Sequence, residues 1–252
     1  MAKVRHDQAD LISRSRAVLA DGYYILPKVN RYDSNLPQFE KVVAGVLASP
    51  DIGAKFVQHE LMFAEGGKTR VPIADPFEHF FFVLEGEIAL TVGEKDKHSL
   101  NEGGYAYLPP GSRFSLANSL AGESRMVWIK HRFIPYEDLK PKLHIGNEKD
   151  LPRPGQALLP FSDDLAYDMG MIIVNVEPGR GITQVETHVM QHGLYMLEGQ
   201  GLYWLNGDYH EVQKDDFIYF APYCPQYFYV TGESTGRYLL FKDVNRDYDA
   251  KL

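Results

Sequence analysis

The apolar positions of this chain fall in short runs, each closed by a turn-forming residue, and that pattern predicts strands rather than helices. Phe80–Leu84 and Leu194–Leu197 are apolar runs that both end in a Glu-Gly turn, and Ile88–Val92 and Leu202–Leu205 follow as return strands of hairpins. Asn206-Gly207 stands between Tyr203-Trp204-Leu205 and His210-Glu211-Val212, and this dipeptide suits the two positive-φ positions of a type I′ turn. Gly93-Glu94 does the same job earlier in the chain. Tyr105–Leu108 and Phe217–Phe220 are further short strands, while Val42–Leu47 and Met169–Val176 open the two halves. Helix is scarce: Asp10–Ala20, with capping residues and some helical spacing, is the expected exception.

The strand pattern repeats. Phe81-Phe82-Val83-Leu84-Glu85-Gly86 resembles Leu194-Tyr195-Met196-Leu197-Glu198-Gly199, and the two glycines lie 113 residues apart. Glu102 to Gly111 resembles Lys214 to Tyr223 at an offset of 112. Two matched segments in the same order at nearly constant offset indicate a duplicated domain. Many short strands with Gly/Pro turns predict a barrel or jelly roll. Residues 1–40 are expected as an arm, 41–136 as the first barrel, 137–165 as a proline-rich linker and 166–252 as the second barrel.

Composition narrows the class. In 252 residues, 44% are hydrophobic and 24% charged, as in a globular protein able to bury a full core. A net charge of −8, with no basic stripe, disfavours a nucleic-acid partner. Cys224 is the single cysteine, so no intramolecular disulfide forms. The opening Met-Ala-Lys-Val-Arg-His-Asp-Gln has no apolar core for a signal peptide, and no apolar run is long enough to span a bilayer. Cytoplasmic residence without a membrane partner is the expectation. Exposed sheet edges favour a homo-oligomer.

The densest chemistry lies in Glu186-Thr187-His188-Val189-Met190-Gln191-His192. On a strand every second side chain shares a face, so Glu186, His188 and His192 are expected to point together. A carboxylate and two imidazoles suit Mn, Fe, Zn or Ni. Gln226, which ends Ala221-Pro222-Tyr223-Cys224-Pro225-Gln226, is a fourth candidate.

These residues resemble the cupin superfamily, whose first motif runs Gly, His-x-His, a Glu a few residues on, then Gly, and whose second ends Pro-x-Gly-x-x-His. Here Gly181 is followed by Glu186-x-His188, His192 and Gly199, and the second motif ends in Gln226. Glu replaces the first His, His the usual Glu, and Gln the last His. With Leu197-Glu198-Gly199-Gln200-Gly201-x-Tyr203 and Arg237-Tyr238-Leu239-Leu240-Phe241-Lys242-Asp243, the substituted set resembles the (S)-ureidoglycine aminohydrolase family. The resemblance implies an all-β bicupin, two tandem cupin jelly-roll barrels, with one Mn2+ per chain in the C-terminal barrel. It implies release of ammonia from (S)-ureidoglycine to give (S)-ureidoglycolate, in purine (allantoin) catabolism. The metal is then expected on Glu186, His188, His192 and Gln226. Substrate is expected at Glu186, Gln226, Tyr238, Lys242 and Tyr203, with Glu186, Lys242 and Tyr238 as the catalytic groups. In the first copy the ligand positions hold Ile73, Asp75, His79 and Phe114, so that barrel is expected to be structural and metal-free.

Two other readings stand beside this one: an Fe or Ni cupin dioxygenase, which the Gln at the last ligand position disfavours, and a non-catalytic ligand-binding bicupin. Tyr203 and Tyr238 are two of 16 tyrosines, so core packing competes with a role in the site.

Overall fold

A computed structural model describes residues 16–152, 156–159, 164–244 and 246. The described residues are all-β, with three short 3-10 turns among them, Lys28–Asn30, Pro50–Ile52 and Glu148–Asp150. It forms two compact units. One comprises Tyr32–Pro50 and Phe56–Leu151; the other comprises residues 16–31, Asp51–Lys55 and the described part of Pro152–Leu252.

In the first unit one sheet runs His144–Asn147, Gly104–Leu108, Glu78–Glu85, Ser124–His131, Phe56–Thr69, Arg113–Ala117, Glu87–Val92 and Asp96–Asn101, with Phe39–Ala48 also paired to Phe56–Thr69. Alternate residues Phe81 and Val83, Met126 and Trp128, Leu61 and Phe63 join Phe114 and Leu116 in one core. The strand His144–Asn147, inside the expected linker, pairs with Gly104–Leu108.

In the second unit the sheet order is Val18–Ala20, Tyr23–Leu26, Phe217–Phe220, His192–Glu198, Gly236–Lys242, Gly170–Val176 and Gln156–Ala157. A second sheet orders Asp208–Gln213, Gln200–Leu205 and Gln226–Val230. Leu194, Met196, Tyr203, Leu205, Ile218, Phe220, Phe228 and Tyr238 pack into its core. The matching turns have the required backbone: Gly86 and Gly199 adopt φ of 79° and 76°. Asn206 and Gly207, at 49° and 106°, close the Leu205–Asp208 hairpin.

The expected helix over 10–20 is corrected where it can be seen. Residues 10–15 lie outside the described residues, but Val18–Ala20 is a strand paired with Tyr23–Leu26, which in turn pairs with Phe217–Phe220. Burial decides here. Tyr24 packs on the Phe217 and Tyr219 rings, and Tyr23 and Ile25 enter the core. A short apolar run cannot be assigned by periodicity once such a sheet edge is available.

Candidate active site

The segment 186–192 is not the strand that its spacing predicts. Only His192 lies in a strand, His192–Glu198. The stretch before it meets the sheet at two isolated bridges, Gly181↔Tyr229 and Glu186↔Gln226. In the second, the Glu186 N–H donates to the Gln226 carbonyl at 3.0 Å and the Gln226 N–H to the Glu186 carbonyl at 2.9 Å. Residues directly opposite in an antiparallel pair point their side chains to the same side. His188 sits in the loop between, held by the Tyr223 N–H, which donates to its carbonyl at 2.7 Å. Tyr223 reaches that position with φ of 62° in the Ala221–Cys224 turn, closed by the Cys224 N–H on the Ala221 carbonyl at 3.3 Å. A bridge and a turn therefore gather Glu186, His188 and Gln226 beside His192, without a period-two alternation.

The two imidazoles stand edge to face with ring centroids 5.0 Å apart. His192 is buried against Phe220, and its Nδ1–H donates to the Phe241 carbonyl at 3.2 Å. That bond fixes the tautomer and leaves Nε2 with its lone pair. Nε2 is buried and has no hydrogen-bond partner among the described residues. Burial first, then the neighbouring His188, pull the His192 pKa down to about 3 against the Phe241 bond, so the ring is neutral at ordinary pH. Burial also lowers His188, with Glu186 raising it and Lys242 lowering it.

Gln226 is buried, its Nε2 donating to His188 Nε2 at 2.9 Å and its Oε1 accepting from the Tyr203 hydroxyl at 3.4 Å. The two ends of an amide are alike in shape, and turning this one over presents Oε1, a cation ligand, to the same place. The buried Tyr203 and Tyr238 hydroxyls share a hydrogen bond, and burial raises both pKa values, with Glu186 adding to each. Lys242 stands opposite His192 on one side and opposite Gly170 on the other. Burial lowers its pKa. All seven predicted site residues thus belong to one neighbourhood of the second unit.

The donor set fits a divalent cation: an orphaned imidazole nitrogen, a second neutral imidazole, an amide and one carboxylate. The ligand atoms of Glu186, His188 and His192 do not all lie within 4.8 Å of one another, so gathering them on one ion needs side-chain rotation.

Sequence reasoning missed the support behind this row. Gln191 and Asp243 directly flank His192 and Lys242 and so take the opposite face of the sheet. Asp243 Oδ1 accepts the Gln191 N–H at 2.8 Å, and Gln191 Oε1 accepts the Lys55 N–H at 2.8 Å. In the first unit, Glu78 and His131 form a buried pair at 2.7 Å, with the Tyr107 hydroxyl donating to Glu78 at 2.6 Å. Alternation next to a candidate ligand is the only signal that could have found either pair.

A cupin-domain family profile matches residues 59–130 and 172–242. The chain is 34% identical over 250 residues to the (S)-ureidoglycine aminohydrolase of Escherichia coli strain K12, covering 95% of each chain. It is 34% identical over 246 residues to the probable (S)-ureidoglycine aminohydrolase of Oryza sativa subsp. japonica, covering 94% of this chain and 78% of that one. The crystal structure of Ylba from E. coli superposes with a TM-score of 0.85 at 33% identity, covering 93% of this chain and 96% of that one.

Proposed function

The chain belongs to the (S)-ureidoglycine aminohydrolase family of cupin-domain proteins, and from that premise we propose that it is itself an aminohydrolase that releases ammonia from (S)-ureidoglycine to give (S)-ureidoglycolate in purine (allantoin) catabolism. The observation that carries the reading is the row formed by His192 and Lys242: an unpaired neutral nitrogen next to a half-buried ammonium, beside the bridge that joins Glu186 to Gln226.

The substrate carries an amine, a carboxylate and a ureido group on one carbon. The Lys242 ammonium pairs with the carboxylate, and a low-dielectric setting strengthens that pairing. The Tyr238 hydroxyl, kept protonated by burial, donates a hydrogen bond to the same carboxylate. The carboxylate is then one of three distinct contacts, and holding the amine and the ureido group as well selects one enantiomer. Glu186 accepts a proton from the water and passes it to the departing amine, so that a C–O bond forms, the C–N bond breaks and ammonia leaves. Tyr203 orients the Gln226 amide. Glu186, His188, His192 and Gln226 would hold one Mn(II), which supplies Lewis acidity to the bound amine or carboxylate and makes a bound water more acidic.

The test is ammonia release from freshly prepared ureidoglycine, with and without added Mn(II), for wild type, Glu186→Ala and Lys242→Ala. Release that depends on the metal and falls in both variants is expected. Release indifferent to chelator and to both substitutions ends the reading. The same reading includes self-association and cytoplasmic residence. The exposed Leu19, Val71 and Tyr209 offer apolar surface to a second copy, and no helix among the described residues is long and apolar enough to cross a membrane. Light scattering and cell fractionation check these two points.

A further inference from the structure

Gly170 opens the strand Gly170–Val176 and is buried. Its φ is outside the left-handed region, so its backbone does not need glycine. Glycine in a strand sacrifices packing and costs chain entropy, and often marks a close approach. The approach here is that of Lys242, its cross-strand partner. A Cβ on Gly170 would stand 2.7 Å from Lys242 Cγ, 3.0 Å from Cδ and closer still to Cε. The lysine stem lies flat on bare backbone.

The first unit contains the matching row with a different residue. His79, Lys130 and Val57 are aligned across three strands as His192, Lys242 and Gly170 are in the second. Val57 fills the place that Gly170 leaves open, and the Lys130 amino group stands over the rings of Phe77 and Trp128, 5.2 and 5.4 Å from their centres.

We propose that Gly170 is a positioning residue for Lys242: by leaving the floor of the row open, it lets the lysine lie down and set its ammonium where the substrate's carboxylate binds. The proposal rests on the reading of Lys242 as the carboxylate anchor. A side chain at 170 meets first the lysine stem from Cγ outward and not backbone, so the molecule yields by swinging the whole stem, which moves the ammonium, and keeps its fold.

A double-mutant cycle of Gly170→Ala and Lys242→Ala in Mn(II)-loaded protein tests this. Gly170→Ala raises KM for ureidoglycine ~10-fold or more, the scale of one charge-assisted hydrogen bond, with bound metal unchanged. Added to Lys242→Ala, it changes KM no further, because there is no stem to displace. Thermal midpoints repeat the cycle without activity: Gly170→Ala lowers the midpoint when Lys242 is present, and leaves or raises it in the Lys242→Ala background, where alanine fits. Equal losses in both backgrounds, or an unchanged KM in Gly170→Ala, overturn the proposal. If wild type releases no ammonia, the functional reading fails, and the thermal cycle still decides whether the two residues are coupled.

Discussion

Each barrel carries near the start of an interior strand a histidine set opposite a lysine, His79 with Lys130 in the first and His192 with Lys242 in the second. The surroundings give the two rings different roles. His79 bonds to the Asp75 carboxylate through Nε2 at 2.9 Å, and its Nδ1 accepts the Trp128 indole N–H at 3.1 Å. Phe114, where the second barrel has Gln226, packs on it at 4.8 Å between ring centroids. Both nitrogens are engaged, and the ring is a core residue. His192 spends one nitrogen on a carbonyl and keeps the other. Behind each row stands a polar pair at equivalent positions, Glu78 with His131 and Gln191 with Asp243. The lesson is that a ligand site depends on a lone pair left over after the fold has taken what it needs. In the first barrel the Asp75 carboxylate fixes the proton on Nε2, and the Trp128 N–H takes the lone pair left on Nδ1.

The sharpest way to break this contrast is to remove each histidine. His192→Ala should weaken metal binding by at least ~100-fold and take ammonia release with it. His79→Ala should leave metal content and KM in place while costing about 3 kcal/mol of folding stability, read from urea midpoints. A matching loss of metal in His79→Ala would void the distinction.

Acid stability probes it next. Burial, reinforced by Lys130, lowers the His59 pKa to about 4. The folded value lies below the unfolded one, so the stability is intact above about pH 6.5 and is lost as pH falls toward 4, by no more than ~3 kcal/mol. His192 pulls in the same direction. His59→Phe should therefore flatten the decline in urea midpoint between pH 7 and 4 without abolishing it, and parallel curves for wild type and variant would exclude His59 as a source.

The smallest effect concerns the support behind the row. Gln191→Ala strands the Lys55 N–H and should cost about 1 kcal/mol, with metal content kept. A larger fall in bound metal than in stability would move Gln191 from scaffold to ligand set.

The strand at Phe217–Phe220 was legible to the residue because all four side chains are buried and the apolar run is unbroken. Val18–Ala20 was not, since its structure is decided by the edge of a strand 200 residues away. Glu186, His188, His192 and Gln226 were legible as neighbours, but alternation does not bring them together: an isolated bridge does, and alternation cannot reveal one. Gly170 was invisible, because its meaning lies in cross-strand register with Lys242, and register is a property of the folded sheet.

Residues 16–31 and Asp51–Lys55 fold with the second unit. Arg16 grips Asp216, Lys28 pairs with Asp215 at 3.0 Å, the Tyr219 hydroxyl donates to the Gly53 carbonyl, and Tyr23–Leu26 seals the flank of Phe217–Phe220. A truncated polypeptide starting near residue 152 would lack all of these and bare a hydrophobic strand to self-association. The second unit is thus not one contiguous stretch of chain, and no single cut separates the two halves of the repeat without taking strands from one of them.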